Sequence, residues 1–218
     1  MGLQEYFRLE GLAYRLVPIK YPPNPNPNAF GGVSSDKMYD NVVNKWSWGG
    51  MDNVEDGIYM DENNRRMVTN FRLQMAILAE QLLSENDANR ALDICEMVMV
   101  KMPEENVPLN RVLMTVQATL MEIAASDSIP GEQFYELSDE RRAQARELAK
   151  TLTRQLFDIQ TEDLTYYYSL DPMRFSAVSQ ERRIAQQVAQ VMIQTASLYL
   201  PEDSLASELT RKMEEIEA

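Results

Sequence analysis

The chain has 218 residues, 25% of them charged, and a formal net charge of −13, so it should repel the phosphate backbone of nucleic acids and anionic membrane surfaces. It contains no histidine and one cysteine, which excludes Ser-His-Asp and Cys-His catalysis, His-ligated zinc and an intrachain disulfide. Its apolar runs are too short to span a bilayer, so we expect no direct membrane insertion by this chain.

Residues 1–63, which we call the lead segment, differ in composition from the rest of the chain. They contain both tryptophans and the run from Tyr21 to Asn28, whose repeated prolines preclude a helix. Residues 12–19 alternate loosely between apolar and polar, which predicts a short strand or an extended strip. Residues 36–48 predict a short helix that ends at Gly49-Gly50. We therefore expect an irregular, loop-rich segment packed on the helices that follow.

Residues 72–105 have the length and pattern of one tetratricopeptide-like helical hairpin. A polar turn at residues 84–87 separates two helical stretches, and Pro103 follows the second. Two helices of this size cannot bury their apolar faces alone, so the hairpin predicts stacked neighbours and a binding surface. The only cysteine belongs to this pattern and reads as a small core residue rather than a nucleophile. The positions expected between the helices are Met75, Leu78, Ala79, Leu82, Ala91, Cys95 and Val98.

Five more helical segments are predicted after the hairpin. A helix over 108–123 starts with proline in its first turn, and the next runs from the N-cap Ser138 to about residue 159. Thr161 is expected to cap a short segment ending near residue 171. Further helices are predicted over 176–200 and 205–216. On the first of these two, the residues expected to face inward are Val188, Val191, Met192, Thr195 and Leu198.

The element pattern as a whole predicts an all-α fold. We expect residues 64–218 to form tetratricopeptide-like helical hairpins stacked as an α-α superhelix, with the lead segment, residues 1–63, packed on them. The loop at residues 126–137 lengthens the second hairpin, so the repeat departs from its regular pattern there.

A calcium-binding loop is partly matched within the lead segment. Asp52, Asp56 and Gly57 occupy suitable positions, but Val54 stands where an oxygen ligand is needed and Asn63 replaces the bidentate glutamate. We therefore expect an acidic turn before a helix at this place. No metal ligand set and no cofactor is predicted for the chain.

Aromatic and charged side chains in the lead segment are the candidates for ligand binding. Aromatic rings stack on sugars, and paired carboxylates on either side of a sugar are the groups that glycoside hydrolysis requires. The alternative is structural: arginines pair with the acids, and the aromatic rings anchor the lead segment to the helices. The candidate residues are Arg8, Glu10, Arg15, Asp36, Tyr39, Asp40, Trp46 and Trp48, together with Tyr167 from a run of three tyrosines that lines a groove or seals a helix junction.

Four stretches of the lead segment carry a family resemblance. They are GLQEYFRLEGLAYRLVPI at residues 2–19, DKMYDN at 36–41, WSWGG at 46–50 and IYMDEN at 58–63. They resemble segments of a large bacterial multi-pass membrane-protein family, long called a domain of unknown function. That family is similar to the glycosyltransferase C superfamily, which includes a eukaryotic transmembrane protein O-mannosyltransferase. The resemblance extends over nearly the whole chain, as a soluble C-terminal region with tetratricopeptide-like helices.

The resemblance implies a location and a role. Such a C-terminal region lies outside the cytoplasm, on the periplasmic face of the inner membrane, while the transferase residues lie in membrane segments that this chain does not contain. The chain alone is then not an enzyme. We expect a scaffold that binds a polypeptide acceptor or docks on the membrane domain of its own parent chain. The alternative is an accessory domain that binds or processes carbohydrate, with a glycan as the partner.

Overall fold

The computed structural model of the protein describes residues 3–21, 31–125 and 135–217. Within these ranges the chain is mostly helical, with eight α-helices, one short 3-10 helix and a three-stranded sheet. The chain forms two compact units, residues 1–116 and 117–218. No helix in the described ranges is long and apolar enough to cross a membrane. The predicted helical class is confirmed, and the small sheet is the part that the all-α prediction missed.

The lead segment contains the sheet and one helix. After a 3-10 turn at Gln4–Tyr6, strands β1 (Phe7–Leu9) and β2 (Tyr14–Leu16) pair antiparallel, and β3 (Gly32–Val33) pairs parallel with β1. The strand order is β2-β1-β3, so β2 lies at an edge. The extended strip expected over residues 12–19 is confirmed at β2. Most of the proline-rich run, residues 22–28, lies outside the described residues.

Helix α1 covers Ser35–Asn44 and is shorter than predicted. The N–H groups of Lys45 and Trp46 both donate to the carbonyl of Asn41, at 3.1 and 2.9 Å, which closes the helix before the tryptophans. The helix therefore does not extend to Gly49-Gly50. It packs against the first helix of the hairpin.

The predicted helical hairpin is confirmed. Helix α2 (Glu62–Ser84) starts ten residues earlier than the hairpin pattern, capped by Asp61, and α3 (Ala88–Lys101) is capped by Asp87. All seven apolar positions that were expected between the helices are buried. Burial raises the pKa of the Cys95 thiol to about 12, so this cysteine stays protonated, as its place in the core pattern suggested.

A fully buried arginine on α2 fixes the segment that follows α3. Arg72 donates to the carbonyls of Met102, Val107 and Pro108 at 2.8, 2.6 and 2.6 Å. The Pro108 carbonyl is therefore engaged outside any helix, and the prediction of a helix from residue 108 is wrong at its start. Helix α4 covers Leu113–Ala124 instead. Burial lowers the pKa of Arg72 to about 10, which still leaves the guanidinium charged at neutral pH.

The second unit is built on the long helix α5 (Asp139–Tyr168), followed by α6 (Pro172–Ala177), α7 (Ser179–Tyr199) and α8 (Leu205–Glu217). The predicted N-cap is confirmed, since the Ser138 hydroxyl accepts from the Arg141 N–H at 3.3 Å. The predicted break at Thr161 is wrong. This threonine is buried inside α5 and donates its hydroxyl to the Asp158 carbonyl at 2.8 Å, so it does not cap a new helix.

Helix α7 buries a different face from the one predicted. Met192 is buried as expected, but Val191 and Leu198 are about half exposed. The buried positions are otherwise small, and α7 packs against α5, which also carries fully buried alanines. Small side chains allow a helix to approach its neighbours closely, and the buried face of α7 consists mainly of alanine rather than of valine or leucine. The buried alanines are Ala145 and Ala149 on α5 and Ala185, Ala189 and Ala196 on α7.

Candidate functional site

A groove opens at the turn between β1 and β2, beside the end of α1. It has a volume of about 360 Å³ and combines apolar, aromatic and charged side chains. Three of the residues singled out from the sequence meet here: Glu10, Arg15 and Trp46. The other five lining residues were not candidates from the sequence, although Gly11, which lies between two short apolar runs, is a turn signal. The lining residues are Glu10, Gly11, Leu12, Ala13, Tyr14, Arg15, Asn41 and Trp46.

Charged groups are held against one another at one side of this groove. The Glu10 carboxylate lies 3.1 Å from Lys37 Nζ and 3.4 Å from Arg15 Nη1. The Glu10 side chain is mostly covered, whereas the Arg15 side chain is 60% exposed. The Asn41 amide donates to the Glu10 carbonyl at 2.5 Å, which ties the turn to α1. The result is a carboxylate with a fixed position beside an accessible guanidinium.

An aromatic side chain also lines the groove. The half-buried Trp46 ring lies 5.4 Å from the Phe71 ring at an angle of 83°, and 5.8 Å from the Trp48 ring. A Cβ added at Gly11 would lie 3.7 Å from Trp46 Nε1, so residue 11 is within contact distance of the indole. The backbone of Gly11 has φ of +144°, a conformation that favours glycine. Because residue 11 has no side chain, this part of the groove stays open.

Asp36 and Tyr39 belong to a second cluster, which joins α1 to α3. The Tyr39 hydroxyl donates to Asp93 at 2.8 Å, and Arg90 lies 5.3 Å from the Tyr39 ring centre. Arg90 also contacts Asp36 at 2.8 Å and Asp87 at 2.6 Å. Burial, and then Asp93, raise the pKa of Tyr39 to about 12. This phenol stays protonated at neutral pH and connects two helices, in line with the structural alternative for these residues.

The remaining candidates of the lead segment have local contacts. Asp40 accepts from Lys45 and from Asn44, and the hydrogen bond from Lys45 lowers the pKa of this carboxyl. The Arg8 guanidinium lies 4.6 Å from the centre of the Tyr21 ring. Neither Asp40 nor Arg8 lines the groove.

Tyr167 lies in the second unit, near the end of α5. It is half-buried, and its ring centre is 5.8 Å from that of the exposed Tyr166. Tyr168 lies 6.1 Å from the Phe175 ring of α6 and accepts from Gln186 of α7. At this end of α5, the tyrosine run thus contributes to a helix junction.

The acidic stretch 52–63 forms a loop and the start of a helix. Asp52 pairs with Lys101 at 2.6 Å, which lowers the pKa of the Asp52 carboxyl, and Asp61 caps α2 by accepting from the Asn64 N–H. The Asn106 side chain holds the loop by bonding backbone groups of residues 51, 53 and 58. Among the described residues, no group of three or more acidic or cysteine side chains is placed to hold a metal ion.

Large apolar side chains are exposed along β2 and the residues on either side of it. Leu12, Leu16 and Ile19 are 54%, 57% and 61% exposed, and Tyr14 is 41% exposed. We call these four residues the apolar strip. Tyr14 and Leu16 share one face of β2 because side chains two residues apart in a strand point the same way. On β1, by contrast, Leu9 is 2% exposed. The apolar strip therefore marks the outer edge of the sheet.

Comparison of the chain with protein-family models, with curated proteins and with solved structures finds no match. The family resemblance that rests on the lead segment therefore stays a prediction, and so does the periplasmic location that it implies.

Proposed function

We propose that this chain is a non-catalytic interaction domain that binds another polypeptide through the apolar strip. The observation that carries the proposal is the exposure of four large apolar side chains between residues 12 and 19, at an edge of the sheet. Large apolar side chains that stay exposed on an edge strand and on the residues beside it are costly in water and are typical of docking surfaces.

The chemistry of the partner follows from the strip and the net charge. The strip offers apolar area, which favours an apolar polypeptide segment. A formal charge of −13 disfavours nucleic acids and anionic membrane surfaces as partners. By the resemblance, the partner is the membrane domain of the parent chain, on the periplasmic face of the inner membrane, or a polypeptide acceptor of that protein.

The helices serve as the scaffold in this proposal. The α2–α3 hairpin acts as one tetratricopeptide-like repeat whose buried core supports the lead segment, and the helices of the second unit are further members of the predicted superhelix. Two contacts are consistent with a rigid base for the strip. Helix α1 packs on α2, and the Tyr39 hydroxyl donates a hydrogen bond to Asp93 on α3. The unequal lengths of α2 and α5 argue for irregular repeats.

Site-specific photo-crosslinking in membranes of cells that express the full reading frame tests the proposal. A photoreactive amino acid replaces Leu16 in one variant and the exposed Glu80 of α2 in the control. We expect residue 16 to give a crosslink that mass spectrometry identifies as an apolar segment of the same or a second polypeptide, and residue 80 to give none. Absence of any crosslink at residue 16, or identical products at both positions, would contradict the proposal.

A further inference from the structure

We propose that the groove at the β1–β2 turn is a binding site for a neutral pyranose sugar, as a free glycoside or as the end of a glycan. This inference goes beyond the polypeptide-binding function. The groove shares Leu12 and Tyr14 with the apolar strip, but the inference concerns the wall formed by Glu10, Arg15 and Trp46. The groove volume of about 360 Å³ lies at the lower end of the range for small-molecule sites, about 300–1,000 Å³. Such a space suits a ligand of one or two rings.

Trp46 supplies the apolar surface that a sugar ring requires. One face of a pyranose consists of C–H groups, which pack on an aromatic ring, while the hydroxyls project around its rim. The Trp46 ring is braced by near-perpendicular contact with Phe71 and by Trp48, so little conformational freedom remains to be lost on binding. The missing side chain at Gly11 keeps the groove open within contact distance of the indole.

Glu10 and Arg15 supply the polar groups for the rim of the sugar. A hydroxyl group both donates and accepts, an ionised carboxylate only accepts, and a guanidinium only donates. The two groups lie 3.4 Å apart, so neighbouring hydroxyls of one sugar can donate to Glu10 and accept from Arg15. Lys37 and the Asn41 contact to the turn hold the carboxylate in position. Small ligands gain specificity from a few polar groups that are fixed in this way.

The net charge of the chain favours a neutral sugar over an anionic one. In the groove the Glu10 carboxylate is paired with Lys37 and Arg15, so its own negative charge does not repel a sugar. The net charge of −13 opposes the approach of phosphorylated or acidic ligands. A purely aromatic ligand would use Trp46 but would leave the Glu10–Arg15 pair without hydroxyls to bond.

Binding to Trp46 is measured directly in a variant with one tryptophan. Trp48→Phe leaves Trp46 as the only tryptophan of the chain, so its fluorescence reports on the groove. We expect a saturable change when neutral methyl pyranosides or short neutral oligosaccharides are titrated at millimolar concentrations. Saturation-transfer NMR on the unmodified chain, with the same sugars, gives the same answer without relying on the folding of the variant.

A matched pair of charge variants locates the site. Arg15→Gln removes the donor at the groove, and Arg66→Gln removes the same charge from an exposed arginine on α2. Loss of a charged hydrogen bond should weaken sugar binding about tenfold in Arg15→Gln, with no change in Arg66→Gln. Equal effects of the two variants, binding of acidic sugars only, or no saturable signal with any neutral sugar would overturn the inference. None of these measurements uses Leu16, so they are independent of the crosslinking result.

Discussion

The two units of the protein differ in how much irregular backbone their described residues contain, and the side chains that hold their elements together differ accordingly. In residues 1–116, buried polar side chains bond the backbone of irregular segments: Arg72 reaches three carbonyls after α3, and Asn106 bonds the loop that precedes α2. In residues 117–218, α5 and α7 pack against each other and both carry buried alanines, ion pairs connect α5 to α8, and one arginine, Arg142, bonds the carbonyls of Ala125 and Tyr135. Irregular backbone needs side-chain partners for its polar groups, whereas regular helices satisfy their own and require only a close fit.

The largest expected effect is the loss of the buried arginine. Arg72→Met fills similar space but leaves the carbonyls of Met102, Val107 and Pro108 without their donor, and two of these three residues are themselves fully buried. We expect a loss of about 3–5 kcal/mol in the free energy of unfolding. Urea denaturation measures this loss, and hydrogen exchange should rise first in residues 102–108.

Arg72→Lys is the matched control for this change. It keeps the positive charge but replaces the planar fork of donors by a single ammonium group, so we expect an intermediate loss of stability. If the free energy of unfolding of Arg72→Met lies within about 1 kcal/mol of the wild-type value, a well-packed apolar side chain can replace the arginine at little cost in stability. The contrast between the two units would then be wrong.

The second effect concerns the close fit in residues 117–218. Ala189→Leu adds bulk at a fully buried position of α7, and we expect it to destabilise the protein by about 1–3 kcal/mol through overpacking. The neighbouring Gln190 is exposed, so Gln190→Leu adds a similar volume on the solvent side and should change stability by less than about 0.5 kcal/mol. Thermal unfolding of both variants gives the comparison. Equal stability of the two would indicate that the buried alanines do not set the packing distance.

The helical hairpin could be predicted because its apolar residues follow the helical period over two full helices. The role of Arg72 could not, since a charged residue in a helix is normally assigned to the surface and is buried only when its partners are supplied by distant backbone. The face of α7 was missed for a related reason. Valine and leucine are expected in a core because they are hydrophobic, but the buried positions of α7 are mainly alanines, whose small size allows close packing.

The candidate groove was predictable only in part. The residue types pointed to Glu10, Arg15 and Trp46, but the sequence does not show which residues meet. The sheet register pairs β1 with β2 and so brings the Glu10 end of one strand to the beginning of the other. Asp36 and Tyr39 lie on α1, as predicted, yet they contact α3 rather than the groove. Tertiary contacts of this kind are not encoded in local periodicity.

The smallest expected effect belongs to the ion pairs between α5 and α8. Arg154 and Glu208 lie 2.8 Å apart, but their side chains are 39% and 40% exposed, so solvent screens the pair and Glu208→Gln should cost less than about 1 kcal/mol at neutral pH. Hydrogen bonding to Arg154 lowers the pKa of Glu208 below its ordinary value of 4.5 in the folded state. The folded protein therefore binds this proton less readily than the unfolded chain does. The stability that the ion pair contributes is present above pH 4.5 and is lost as the pH falls through the lowered pKa of Glu208.

Urea titrations should show the wild type and Glu208→Gln converging in stability at acidic pH and in high salt. Glu215→Gln, which removes the carboxylate of an exposed pair within α8, is the control with no expected pH-dependent difference. A deficit of Glu208→Gln that stays constant at every pH would mean that packing of the Glu208 side chain, and not its charge, connects the two helices.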